Sequence, residues 1–475
     1  MELSPAIVFP FRRGYRGAAR WSARGGYREL LLLAVPLILS NGSQSLMQFC
    51  DRVILSWSSP EALAAATPAG AFVMSFSAVF SGVVCYVGTF IAHAFGAGGG
   101  RTVGRYLWQG VWLSLAAEAV LLVPAFFAPE LFALFGHDAA LREMEADYFR
   151  ILCGTQFVPL MMQNCAGFHS GRGRTGIVAA VTLAGVVVNV VLDYVLVLGT
   201  PFTPALGISG AAIATVFSAA FSLAIYLVTI FTAANEREYG VLSEWRPHFP
   251  SVSRLVRFGA PSGLQFMVDM GSFSWLLMVI GTIGTVELAA SNIAFQIEML
   301  ALLPLIGIGV ATSIAVGQHQ GARRPDRSSR AVRSGVHVML VYVVLFVAAV
   351  LAAPELFLWP FRAGADAGEF REIFDLAGHL MYFVAAYVVS DGFFQVYGNA
   401  IKGAGETKFV MVVIFVGAAL FMVTFPMLLL KAGFGFFAIW FDLIVYAFGC
   451  CAAFVLRYRS GRWKKIDLLG RDARE

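Results

Sequence analysis

Long apolar runs, separated by short polar connections, fill the chain from end to end. A membrane-crossing helix needs roughly 20 apolar residues. Twelve runs qualify: 30–57, 63–92, 103–128, 144–168, 175–199, 207–234, 255–281, 286–318, 334–358, 372–401, 408–430 and 433–457. In order, they are spans 1 to 12. The runs do not alternate apolar with polar residues as outer-membrane strands do, so the pattern predicts an all-α membrane protein. The one longer connection, 235–254, is mixed in charge and reads as a mid-chain linker.

Composition sharpens this reading. Of 475 residues, 59% are hydrophobic and 13% charged, against about 25% charged in a soluble domain. A soluble enzyme, a disulfide scaffold and a disordered chain are excluded. The six cysteines lie in apolar stretches without a CxxC and read as small buried hydrophobes. The Arg-rich start runs into an apolar stretch too long for a cleavable signal.

Basic residues mark cytoplasmic connections. They occur before span 1 (Arg12, Arg13, Arg16, Arg20, Arg24, Arg28), after span 2 (Arg101, Arg105) and after span 4 (Arg172, Arg174). They recur after span 6 (Arg237, Arg246, Arg254, Arg257), span 8 (Arg323 to Arg333), span 10 (Lys402, Lys408) and span 12 (Arg457 to Lys465). The connections after spans 1, 5 and 7 have none, and the one after span 3 is mostly acidic. This alternation predicts an even span count with both termini cytoplasmic.

The chain also repeats itself. Pro36 answers Pro261, Glu61 to Ala65 answers Glu287 to Ala290, and Gly96-Ala97 answers Gly321-Ala322. Gly171-x-Gly173-x-Thr175 answers Gly403-x-Gly405-x-Thr407. Six spans per half is an even number, so the halves share orientation and are related by a pseudo-twofold axis along the membrane normal. Parallel repeats of this kind occur in transporters, with the substrate path between the halves. The expected organisation is a basic arm (1–27), an N-lobe (28–234), a cytoplasmic linker (235–252), a C-lobe (253–458) and a tail (459–475).

These motifs resemble the multidrug and toxic compound extrusion (MATE) family. The segment Pro36 to Asp51, the two Gly-x-Gly-x-Thr loops, Asn189-x-x-x-Asp193, Gly207 to Thr215, Gly433 to Trp440 and Gly461-Arg462-Trp463 carry the resemblance. It covers about residues 28–465 and implies an inner-membrane antiporter. Such a protein expels amphipathic, often cationic compounds in exchange for protons or sodium ions.

Charges inside a bilayer cost several kcal/mol, so each needs a reason. Asp51, Glu118, Asp193, Asp269, Glu298, Asp391 and Asp442 fall within spans. At about 1.5 Å per residue, Asp51 and Asp193 both lie roughly 9 Å from the outer surface. Asp269 and Asp391 lie near the midplane. Neither pair is the repeat image of the other: Leu276 stands opposite Asp51, and Gln44 opposite Asp269. Helical spacing joins Asn41, Gln44, Gln48 and Asp51 in one stripe, and Asn189 with Asp193. It also groups Gln265, Asp269 and Ser272; Tyr387, Asp391 and Gln395; and Asn292 with Gln296. Gln44, Gln48, Gln265, Asn292, Gln296, Glu298 and Gln395 are candidate cavity residues, and structural hydrogen bonding between helices is the alternative. Arg52 either pairs with a neighbouring acid or snorkels to water.

By resemblance, Asp51, Asn189 and Asp193 match the N-half coupling site of one MATE branch. Asp269, Tyr387 and Asp391 match the C-half cation site of the NorM-like branch, with Asp269 where Glu is usual. Sodium would bind at Asp269 and Asp391. Two close carboxylates titrate as a unit and can hold a proton, a sodium ion or a cationic substrate in turn. The expected partners are drug-like amphipathic cations and membrane lipids, not nucleic acid, and the expected state is a monomer without cofactor. The rivals are a lipid-linked oligosaccharide flippase of the same superfamily, which would add spans and cavity arginines, and an integral-membrane enzyme. HxxxH, HExxH and DDxxD are absent, so no enzyme is expected.

Overall fold

The computed structural model describes residues 21–133, 138–362 and 371–470. Arg12, Arg13, Arg16 and Arg20, the side chains of Glu61, Leu63 and Ala64, and the tail beyond residue 470 lie outside the described residues.

Eleven described helices are long and apolar enough to cross a membrane. Span 1 is Tyr27–Ser58, span 2 Pro60–Gly96 and span 3 Gly100–Phe126. Span 5 is Thr175–Leu198, span 6 Gly207–Ile230, span 7 Phe249–Gly281 and span 8 Thr285–Gly321. Span 9 is Pro325–Ala352, span 10 Arg371–Gly403, span 11 Thr407–Lys431 and span 12 Phe436–Arg459. Span 11 has a π turn at Ala418–Thr424, just before Pro426, the kind of local accommodation a helix makes beside a residue lacking an N–H.

Span 4 differs from the unbroken run expected at 144–168. It is two helices, Ala139–Cys153 and Phe157–Gly171, meeting at Gly154–Gln156. The second helix begins with a free backbone N–H on Phe157, and the Glu118 carboxylate of span 3 accepts it at 2.6 Å. An acid at a helix N-terminus satisfies an orphan donor and complements the macrodipole. Glu118, whose intramembrane position had no evident reason in the sequence, thus caps a broken helix.

The two halves form two lobes. The large apolar cluster of the second lobe gathers residues such as Ile297, Leu305, Met339, Val384 and Trp440. The first lobe is built on Phe90, Tyr106, Phe168 and Tyr226, with further clusters around Phe132 and Val197. The linker is tied down along span 3. Trp108 and Trp112 donate their indole N–H groups to the carbonyls of Val241 (2.7 Å) and Trp245 (2.9 Å). Arg105 pairs with Glu244 at 3.4 Å.

The lobes meet closely at their Arg-rich ends. Leu30, Leu33 and Leu37 of span 1 belong to the second lobe's cluster. The contact continues to mid-depth, where a Cβ at Gly82 would sit 2.3 Å from Gly263 and one at Gly307 would sit 2.5 Å from the Ile38 side chain. Towards the other ends, Phe49, Met74, Met267, Met270, Gln296 and Met299 are exposed. Below the seam, Trp463 stacks on Tyr458 at 5.1 Å in the second lobe, while Leu468 and Leu469 pack into the first lobe's cluster. The tail thus runs beneath both lobes.

Candidate functional site

The N-lobe brings together the acids that depth counting put at one level. The Asn189 amide, oriented with its nitrogen towards them, donates to Asp51 Oδ1 at 2.8 Å and to Asp193 Oδ2 at 3.3 Å. Asn189 and Asp193 are fully buried, and Asp193 Oδ1 has no partner among the described residues. The two carboxyl groups also lie within hydrogen-bond reach of one another, where two full charges would repel strongly. A bound proton or cation removes that cost. The Tyr148 hydroxyl from the broken span 4 is within electrostatic range of both acids. It went unnoticed in the sequence because it stands in a charged, amphipathic stretch.

Arg52 is exposed, makes no ion pair among the described residues, and acts on Asp51 only at longer electrostatic range. The same lobe holds a cavity of about 160 Å³ lined by Gln44, Met47, Met162, Thr182, Ser218 and Tyr226. Gln44 of the span-1 stripe reaches it, whereas Gln48 is exposed.

In the C-lobe, Glu298 of span 8 lies within electrostatic range of Asp391 of span 10, and Tyr387 lies within range of both and of Asp269. Asp269 is held by Gln265, one helical turn away, which donates to it at 3.3 Å. Lys402 acts electrostatically on Asp269 and on Cys85 of the opposite lobe. Asp391 Oδ2 is buried and unpartnered among the described residues, as Asp193 Oδ1 is in the N-lobe. Gln395 bonds Asp391 and accepts from Asn399 at 3.1 Å. Asn292 and Gln296 are exposed on span 8.

Among the described residues, no three His, Cys, Asp or Glu side chains converge as metal ligands. A sodium ion near Asp391 would therefore also need phenol, amide or backbone oxygens. Asp442 is buried with Oδ2 unpartnered.

Twelve spans in two lobes, with a buried polar site in each, are the architecture of a helical membrane transporter. The chain belongs to the MatE family, whose model matches residues 36–195 and 261–428, one stretch in each lobe. It is 26% identical to the "Probable multidrug resistance protein NorM" of Agrobacterium fabrum, over 90% of this chain and 92% of that one. The protein of the same name from Pseudomonas putida is 29% identical over 94% of this chain and 96% of its own. Among solved structures, a MATE transporter in complex with MaL6 superposes with a TM-score of 0.84 at 20% identity, covering 95% of this chain and all (100%) of that one. An outward-facing multidrug resistance MATE transporter of the MOP superfamily gives 0.81 at 21% identity, covering 96% and 100%. The fold is that of these transporters, not of an enzyme.

Proposed function

We propose that this protein is a multidrug efflux antiporter of the bacterial inner membrane, with both termini cytoplasmic. It expels amphipathic cations through the cleft between its lobes. The observation that carries the reading is the Asp51–Asn189–Asp193 cluster, with one buried carboxylate oxygen left open. A proton held there from outside is released towards the cytoplasm, and the emptied, charged pair favours a cationic substrate. Competition for one charge couples the two fluxes, and each ion shifts the conformational equilibrium only through unequal affinity for the two states. The Glu298/Asp391 cluster, with Tyr387 and Asp269 nearby, serves as a second cation site, for sodium or for the substrate's charge. The names of the NorM relatives support the substrate class.

The test is efflux of a cationic dye from proteoliposomes under separately imposed pH and sodium gradients. Efflux driven by the pH gradient in wild type and lost in Asp193→Asn is expected. Undiminished efflux in Asp193→Asn would remove the N-lobe cluster from coupling.

A further inference from the structure

Two cross-lobe hydrogen bonds obey the internal repeat. His93, near the end of span 2, donates from Nε2 to the Gly403 carbonyl at the end of span 10, at 2.8 Å. Gln318, near the end of span 8, donates from Nε2 to the Gly171 carbonyl at the end of span 4, also at 2.8 Å. His93 and Gln318 occupy equivalent positions, three residues before the matched Gly96-Ala97 and Gly321-Ala322. Gly171 and Gly403 are the first glycines of the two Gly-x-Gly-x-Thr loops. Each bond joins one lobe to the other, and the two are related by the pseudo-twofold axis.

The backbone is shaped around this arrangement. A Cβ at Gly96 would lie 1.9 Å from the Gln318 carbonyl oxygen, and a Cβ at Gly321 would lie 2.0 Å from that of His93. Spans 2 and 8 therefore cross backbone to backbone beside the two donors. A Cβ at Gly403 would lie 2.6 Å from the Ser313 carbonyl oxygen on span 8, and one at Gly171 would lie 2.6 Å from that of Gly88 on span 2. The acceptor loops thus rest on their own lobe's crossing helix and cannot retreat from the donor. The second glycine of each loop, Gly173 and Gly405, takes a positive φ (80° and 104°) that ends the helix. The third motif residue starts the next span: Thr175 donates to the Leu32 carbonyl at 3.2 Å, and Thr407 is buried. The repeated motif is thereby explained as a loop that presents one carbonyl to the opposite lobe.

From this geometry we infer that His93 and Gln318 are the paired gate residues of transport, closing the cleft on the Arg-rich side by binding the Gly403 and Gly171 carbonyls. The inference rests on reading the chain as an alternating-access transporter. Opening towards that side must break both bonds together, because each lobe supplies one donor and one acceptor. The pairing explains why a histidine in one half is matched by a glutamine in the other: both present a side-chain N–H at the same reach.

The test measures lobe separation without any substrate. Nitroxide labels at Arg101→Cys and Asp326→Cys, two exposed residues at the Arg-rich end of either lobe, report the distance by double electron–electron resonance in nanodiscs. The native cysteines are replaced, and helical content confirms the fold. The full-length protein is expected to give mainly the short distance. His93→Ala and Gln318→Ala should each raise the open-to-closed ratio about fivefold, and the double variant about twenty-five-fold, for two net hydrogen bonds lost. His93→Gln, which restores the donor found at the equivalent position, should return to the wild-type distribution. Unchanged distances in both single variants, or His93→Gln as open as His93→Ala, would overturn the assignment. Because the readout is a distance, it stands or falls separately from dye efflux.

Discussion

Replacing Glu118 with alanine removes the acceptor that holds the start of the second half of span 4. The Phe157 N–H donates to Glu118 Oε2 at 2.6 Å, and the helix bonds that would otherwise satisfy it are lost at the Gly154–Gln156 break. A hydrogen bond to a charged group contributes about 1.5–3 kcal/mol, and the carboxylate's placement at a helix N-terminus adds up to about 1 kcal/mol. Both are lost in Glu118→Ala, so local opening there should become easier by about 2 kcal/mol, or roughly thirtyfold in the opening equilibrium. Hydrogen exchange read by mass spectrometry on peptides spanning 154–160 measures this directly. Glu118→Gln keeps an acceptor oxygen and loses the charge, so its exchange should accelerate only severalfold. The effect should stay local, with spans 5 and 6 exchanging as in wild type. Wild-type exchange at Phe157 in Glu118→Ala would refute the cap. Equal acceleration in the Gln and Ala variants would show that the charge, not the hydrogen bond, holds the break.

Gly96→Ala should disrupt closure on the Arg-rich side, since its Cβ would meet the Gln318 backbone at 1.9 Å; the protein should purify folded yet lose most dye efflux. Asp391→Asn should weaken sodium-dependent or cationic-dye binding, while Asp51→Asn should spare equilibrium binding and abolish its pH dependence, as titrations across pH with and without sodium will read. Trp463, fully buried at the start of the tail, should cost about 3–5 kcal/mol when replaced by alanine, visible as a lower thermal midpoint in detergent.

The spans, their pairing into halves and the repeat were legible because each rests on local signals: apolar run length, basic connections and motif order. Asp51, Asn189 and Asp193 could be grouped because both acids sit the same number of residues from a span end. The break in span 4 was not legible. The run 144–168 was long enough to read as one helix, and the cap that stabilises the break, Glu118, stands 39 residues before Phe157. Depth along a helix can be counted, but the direction a helix faces cannot, so the nearness of Glu298 to Asp391 was not legible either. Lys402 passed as a topology marker because it lies one residue beyond the predicted span. In the structure it closes the last turn of span 10, half-buried and near Asp269.

In the proposed mechanism, a proton on the Asp51–Asn189–Asp193 cluster and a cationic substrate displace one another. The most direct measurement is proton release from purified protein in weakly buffered detergent, read with a pH indicator as a cationic dye is added. The wild type should release protons in step with dye bound near neutral pH, and Asp193→Asn should bind dye while releasing none. Release from Asp193→Asn equal to that of the wild type would contradict the claim.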